Sequence, residues 1–468
     1  VAKNLDAWLE SPISLLFFRH LRQIQIGDKS VHWGSLGPGP LPDSEWMALY
    51  DKEDEAYLLI RSDVEAFHKD ALAEIKQERM LAVEDETAFP PSRLEIVLGA
   101  PGRLFVVLPT GVETALPFAC NAPFIANPDR NDIKDPSMSH TNRWLLERAG
   151  QLAASAMQKW LEQSDVSLVE RARAYSLFPD VDRDDSSLEG VCGTIVEEAF
   201  GEAIEGQRVL LTEEGELTAA EESIILPKPV LAVWPQAAAL FDSNGRPPLS
   251  QHISASDRQK LLHWGIVEEI SKQNVIDVLR AKHLPTPKTW KSLLHLWSYL
   301  APEITGYRHF GIDQVRIVPV QGQDVLYAAS DVVRLGEGRL LQSESDWEFL
   351  SRFLVAISRD WIKFLSDERR GAENRQADSA RDQIAASEAV LERLKLTETT
   401  DINKVIEQVA ARFFAPESVD LSECVQLAQI AAKVGAAVGD SFRFVSNDAH
   451  LRSAQAVLHD EDGKLAEL

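Results

Sequence analysis

Cysteine is scarce in this chain. Its 468 residues hold only Cys120, Cys192 and Cys424. Three thiols, far apart, odd in number and without metal-ligand spacing, argue against a disulfide framework and point to a reducing, cytoplasmic setting. Long apolar runs are missing too. No stretch approaches the roughly 20 residues that a membrane-spanning helix needs, and no secretory signal is visible. Positive charge is short: 48 Lys and Arg face 73 Asp and Glu, a formal net charge of −25. Such a chain repels a nucleic-acid backbone or an anionic membrane unless its cations are concentrated locally. The most suggestive cluster, Arg280, Lys282, Lys288 and Lys291 around Trp290, reads as solvated helix-end cations. The chain opens on Val1, which suggests a piece of a longer protein.

What is present is globular. Hydrophobic residues make up 45% and charged residues 26%, ordinary for folded domains. Eleven tryptophans argue for packed cores, because disordered chains are poor in aromatics. The length exceeds what one core serves, so two to four domains are expected. The fold class read from the pattern is α/β (α+β) and multidomain. The expected divisions are an α/β domain over 1–165, an acidic connecting subdomain over 166–245, a helix and hairpin unit over 246–365, and a charged helical region over 366–468.

Local signals place the elements. Residues 12–26 read as a short apolar helix or strand followed by a strand, with Gly27-Asp28 turning into a return strand that carries Val31 and Trp33. Gly37 to Pro42 reads as a loop, and 45–60 as a helix-to-strand passage. Leu94–Leu98 and Leu104–Leu108 predict a β-hairpin across Gly99 to Arg103. Ser139 can cap a helix whose Leu145, Ala149, Leu152, Ala153, Ala156, Met157 and Trp160 recur at three- and four-residue steps. A hairpin is expected around Glu213-Glu214-Gly215. Further helices are expected with caps at Ser256, Asn274 and Thr289. Strands over Val315–Val320 and Val325–Ala328 are expected to follow, then one helix over Trp347 to Leu365. Arg369–Arg393 reads as a solvated or mobile helix. Ile402–Phe414 and Val425–Val438 read as packed helices, and 442–445 as a strand.

One stretch carries chemistry: RLFVVLPTGVETALPFACNAPFIANPDRNDIKD, from Arg103, with NRWLLERAG after it. Its Asn127-Pro128-Asp129-Arg130-Asn131-Asp132 loop is turn-rich, and Pro128 fixes the backbone. An arginine there can project rigidly, and its planar fork suits a phosphate or a carboxylate. From the residues alone, an ion pair with Asp129, Asp132 or Asp135 is the simpler account.

The same residues resemble bacterial relatives of sacsin and, more distantly, the middle domain of the ninety-kilodalton heat-shock chaperones. Those chaperones carry a loop of the form Asn-x-Ser-Arg-Glu-x-Leu-Gln. Asn127, Arg130 and Ile133 occupy its Asn, Arg and Leu positions, while Asp129, Asn131 and Lys134 depart from it. The resemblance is strong over about residues 90–165. The order of helix, strand, Gly turn and strand in HLPTPKTWKSLLHLWSYL and VRIVPVQGQDVLYAASDVV is similar to sacsin repeats, a weaker motif. The resemblance implies that Arg130 reaches the γ-phosphate of ATP held by a separate nucleotide-binding domain, with Asn127 and Lys134 as neighbouring contacts. It implies ATP, with or without Mg, as cofactor, and protein clients as partners. It is also compatible with a homodimer. The nucleotide-binding domain would belong to the same protein or to a partner chain.

The phosphate-holding motifs of such ATPases are missing. There is no Asp-x-Gly-x-Gly and no Gly-x-x-x-x-Gly-Lys-Ser/Thr, so hydrolysis is expected only together with a domain outside these residues. Other candidates are weaker. Cys120 reads as a small core residue, His140 as a polar helix-start residue, and His263 and His295 as satisfied core-edge histidines. Glu197-Glu198, Glu213-Glu214 and Glu221-Glu222 read as solvated, although carboxylate pairs can bind a metal. The alternative function is a non-enzymatic interaction module of a bacterial anti-phage or nucleic-acid-processing system.

Overall fold

The computed structural model describes residues 12–18, 20–49, 56–78, 80, 89–128, 131–235, 238–241, 244–306, 311–336, 341, 343–375, 378–398, 400–415, 419–446 and 448–457. Helices and strands are mixed along the chain, the coarse architecture expected. The chain divides into two compact units: Val1–Ile225 with Arg246–Glu269, and Leu226–Gly245 with Ile270–Leu468.

The first unit is built on one sheet of eight strands: β1 (Gln23–Ile26), β2 (Lys29–Pro38), β3 (Ser44–Leu49), β4 (Ala56–Arg61), β5 (Glu95–Leu98), β6 (Arg103–Val106), β7 (Leu108–Glu113) and β8 (Phe118–Asn121). Their spatial order is β1-β2-β3-β4-β5-β8-β6-β7. Neighbours are antiparallel except β6 and β8, which run parallel. Gly27, at φ 62°, makes the expected turn from β1 to β2.

Side chains alternate across a strand, and here both faces are covered. Leu58, Ile60, Ile96, Phe118 and Cys120 enter a core shared with Leu145, Ala149, Met157 and Trp160. Tyr57, Leu59, Val97 and Ala119 enter a second core with Ile13, Leu15, Leu16 and Phe17. This double burial explains why β4 and β8 read as unbroken apolar runs.

Three helices frame the sheet: α1 (Lys69–Glu78), α2 (His140–Leu161) and α3 (Leu188–Ile204). The Ser139 side chain accepts from the Asn142 N–H and caps α2, as the sequence indicates. Helices α2 and α3 pack closely at Gly150, where an added Cβ would lie 2.3 Å from the Val196 carbonyl oxygen and 2.9 Å from the Phe200 nitrogen. Beyond them, Leu210–Leu211 and Leu217–Thr218 form the expected small hairpin, with Gly215 at φ 85° in its turn.

Two expectations for this unit are corrected. Residues 94–98 and 104–108 do not form a hairpin. Strand β8 inserts between β5 and β6 and pairs with both, because its four residues are all buried and need neighbours on both sides. The helix expected after residue 45 is strand β3, paired with β2 and β4; its buried Met47 and Leu49, two residues apart, enter the core with Phe17.

The second unit contains α4 (Lys272–Ala281), α5 (Trp290–Thr305), strands β9 (Arg316–Pro319) and β10 (Leu326–Ala328), then α6 (Glu344–Ser351), α7 (Arg359–Arg375), α8 (Asp378–Arg393), α9 (Ile402–Phe413), α10 (Leu421–Lys433) and the pair β11 (Arg443–Val445) and β12 (Leu451–Ser453). The β9–β10 hairpin, α9 and β11 lie where the sequence indicates, whereas α10 begins before the expected Val425 and ends at Lys433, ahead of Gly435 at φ 62°. The single helix expected over 347–365 is two helices, α6 and α7. Between them Ala356 and Ile357 bridge to Val333 and Val320, so sheet pairing overrides helix continuation. The expected solvated helix over 369–393 also splits, and α8 packs against α5 with Ile384, Val390 and Leu391 buried. Its dense charges hide a narrow apolar stripe. Thr289 caps α5 as expected. The caps expected at Ser256 and Asn274 are instead Ser254, at Ala255–His263 in the first unit, and Ser271, at α4. In both cases an earlier serine bonds to the expected residue's neighbourhood and starts the helix sooner.

Candidate functional site

The stem of the Asn127–Asp132 loop is held from three sides. Ala126 and Ile133 face each other in an antiparallel bridge. The Asn127 N–H donates to the Asp132 carbonyl at 2.9 Å, and the Lys134 N–H to the Ile125 carbonyl at 2.8 Å. Asn142, in the first turn of α2 and without solvent exposure, ties both arms together. Its side-chain oxygen accepts from the Ile125 N–H at 2.7 Å. Its amide nitrogen donates to the Ile125 and Lys134 carbonyls at 2.9 and 2.7 Å. A buried amide with its partners made is rigid, because any displacement leaves several polar groups unpaired in a dry setting.

Strand β7 supports the other flank. The Gly111 N–H donates to the Asn131 carbonyl at 2.6 Å. A Cβ at Gly111 would stand 2.5 Å from the Asp132 carboxylate, so glycine permits this close approach. Asn127 is half-buried, and Ile133 is fully buried beneath the stem. Asp129 and Arg130 lie outside the described residues, and so does the expectation that Arg130 pairs with Asp129.

Lys134 is committed to α1. Its ammonium lies 3.1 Å from Glu74 and 2.9 Å from Glu78, and these bonds raise its pKa. Glu74 also accepts from the Thr141 N–H at 2.8 Å and from the Ser139 hydroxyl at 3.1 Å. A carboxylate at a helix N-terminus meets free N–H groups and the positive end of the dipole. Burial opposes ionisation of Glu74, yet the bonds from Thr141, Lys134 and Ser139 outweigh it and lower its pKa. Glu74, Lys134 and Ser139 thus lock α1 to the start of α2, beside the loop. Asp135, the third candidate partner of Arg130, has its carboxylate on the Ser137 N–H at 2.8 Å, which lowers its pKa.

Sequence reasoning named the loop but missed its anchors. Asn142 stands three positions beyond a serine cap, in the quoted NRWLLERAG, and that spacing could have drawn attention to it. Glu74 lies more than fifty residues away and carries no local signal.

The remaining candidates resolve as follows. Cys120 is a core residue, and burial pushes its thiol well above the ordinary range. Cys192 is likewise buried, pushed up to about 12. His140 is exposed at the start of α2. His263 is not at a core edge: its ring stands out and meets Asp180 at 2.9 Å. His295 is half-buried. Glu197 is not solvated. It is 2% exposed and accepts from the Val181 N–H and from Arg183, both at 2.7 Å, because the turn before α3 needs a buried acceptor. Among the described residues, no group of three or more His, Cys, Asp or Glu is placed to hold a metal ion. No helix among them is long and apolar enough to cross a membrane. Of the basic cluster, Arg280 pairs with Asp277 and Lys282 donates to the Leu240 carbonyl, while Lys288 and Lys291 are exposed.

Comparison of the chain with protein-family models, with curated proteins and with solved structures finds no match.

Proposed function

We propose that the first unit presents Arg130 to the γ-phosphate of ATP held by a nucleotide-binding domain outside these residues, as in sacsin-like chaperone-type ATPases, and that the rest of the chain is a scaffold for clients or partners. The observation that carries this reading is the anchoring of the loop stem by Asn142. A catalytic arginine must arrive with its fork oriented, and a stem bonded on both arms supports that reading. The chemistry assigned to Arg130 is charge stabilisation on the transferred phosphoryl group, worth about 10³–10⁵ in rate where arginine fingers act.

The fit with nucleotide is partial. The described residues around the stem suit the delivery of one arginine, but they do not form a cradle for a triphosphate. Lys134 is already paired with two carboxylates, so we assign it to holding α1 against α2 rather than to phosphate. Asn127 contributes a stem hydrogen bond.

That pairing of Lys134 favours a second reading, in which the unit is a non-enzymatic interaction module and Arg130 forms a structural ion pair. Arg130→Ala separates the two. On the first reading, the protein joining this chain to its nucleotide-binding domain loses turnover and keeps both its nucleotide affinity and its melting temperature. On the second, the melting temperature falls and turnover is unmoved.

A further inference from the structure

A cleft of about 1100 Å³ opens in the first unit, with the stem residues Ile125 and Ala126 in its lining. Five phenylalanines, Phe17, Phe18, Phe67, Phe89 and Phe124, line it beside aliphatic and polar residues. Val107, at the β6–β7 junction, sits at φ 63° on the rim. A β-branched residue there is a genuine outlier, the kind of backbone strain that gathers at binding sites. Its N–H is held by the Asn121 side chain at 2.8 Å.

The polar groups of the cleft are matched, with one exception. Asn121 donates to Glu95 at 2.9 Å, and Glu95 lies 3.6 Å from Arg61. Glu78 is paired with Lys134. The Ser92 hydroxyl accepts from Arg148 at 2.8 Å. The exception is Arg93. Its Nε is buried without an acceptor, and no carboxylate among the described residues pairs with its guanidinium. The position of Arg93 is nevertheless fixed. Ser92 and Glu65 exchange two backbone bonds of 2.7 and 2.9 Å, and the Leu94 N–H donates to the Ser62 hydroxyl at 2.9 Å.

We propose that this cleft binds a small amphipathic carboxylate, an alkyl or aryl body carrying a single carboxylate that pairs with the Arg93 guanidinium. A half-buried unpaired cation is costly to the free protein, and a planar carboxylate removes that cost with two parallel bonds. The five phenylalanines supply the apolar contact that ligand sites combine with a few placed polar groups. A monoanion fits better than a phosphate dianion, because Glu78 and Glu95 line the same cleft in a chain of net charge −25. The proposal stands apart from the reading of Arg130.

The test is calorimetric titration of the intact chain with phenylbutyrate and with its neutral isostere phenylbutyramide. The acid should bind saturably and about tenfold or more tightly than the amide, the difference of one charge-assisted pair. Arg93→Gln should equalise the two ligands, with a melting temperature no lower than that of the parent chain. Phe67→Ala should weaken both ligands alike. Equal binding of acid and amide to the parent chain, absence of saturable acid binding, or a preference for the acid that survives Arg93→Gln would overturn the proposal. The comparison of acid with amide on the parent chain decides it even where a variant fails to fold.

Discussion

Asn142 concentrates the energetics of the site in one side chain. It satisfies the Ile125 N–H and the carbonyls of Ile125 and Lys134, all around a position without solvent exposure. Asn142→Ala strips the Ile125 N–H and the Lys134 carbonyl of this partner, while the Ile125 carbonyl keeps the Lys134 N–H, and should destabilise the first unit by about 3 kcal/mol, read from the denaturant midpoint. A loss below about 0.5 kcal/mol, the scale of ordinary surface changes, would show that water replaces the amide and that the stem is not rigid. Glu74 gives a pH signature. Its pKa is lowered in the folded state, so its contribution is present above the unfolded value of about 4.3 and is lost as pH falls through the folded value. The stability gap between the parent chain and Glu74→Gln should therefore be widest near neutral pH and should close in acid. A gap that widens in acid would reverse the assignment.

At the scale of elements, helix packing at Gly150 is the sharpest constraint. Gly150→Ala puts a methyl group against the backbone of α3, 2.3 Å from a carbonyl oxygen that cannot swing away. Such overpacking costs about 1–3 kcal/mol, and Gly201→Ala, which would meet only the Trp264 ring at 3.1 Å, should cost less. Equal melting temperatures for the two variants would mean that the helices separate freely. The same scale shows what the sequence makes legible. Helix α2 was readable because its stripe and its serine cap agree. The partnership of β5 with β8 was not, because strand pairing across an intervening turn and hairpin leaves no local trace. The bend between α6 and α7 was hidden for a related reason: Ala356 and Ile357 suit a helix until Val320 and Val333 offer sheet partners. In the site, the loop was readable from Pro128 and its turn residues, whereas its anchor Glu74 and the unpaired Arg93 depend on contacts made only in the folded chain.

At the scale of the whole molecule, the charge of −25 governs the response to salt. Self-repulsion destabilises a compact state and is screened by ions. The melting temperature should rise between low and physiological ionic strength, measured by calorimetry in NaCl, and duplex DNA should not bind even at low salt. A melting temperature that falls with salt would show that ion pairs such as Lys134 with Glu74 and Glu78 outweigh the net repulsion. On the proposed reading the arginine is in this chain and the phosphate is held outside it, so activity would belong to the assembled protein. The most direct measurement is ATP turnover, with nucleotide affinity alongside, for the parent and Arg130→Ala forms of a protein that joins this chain to the proposed nucleotide-binding domain. The account predicts that turnover falls by about 10³ or more while affinity stays near its parent value; turnover unchanged in Arg130→Ala would contradict it.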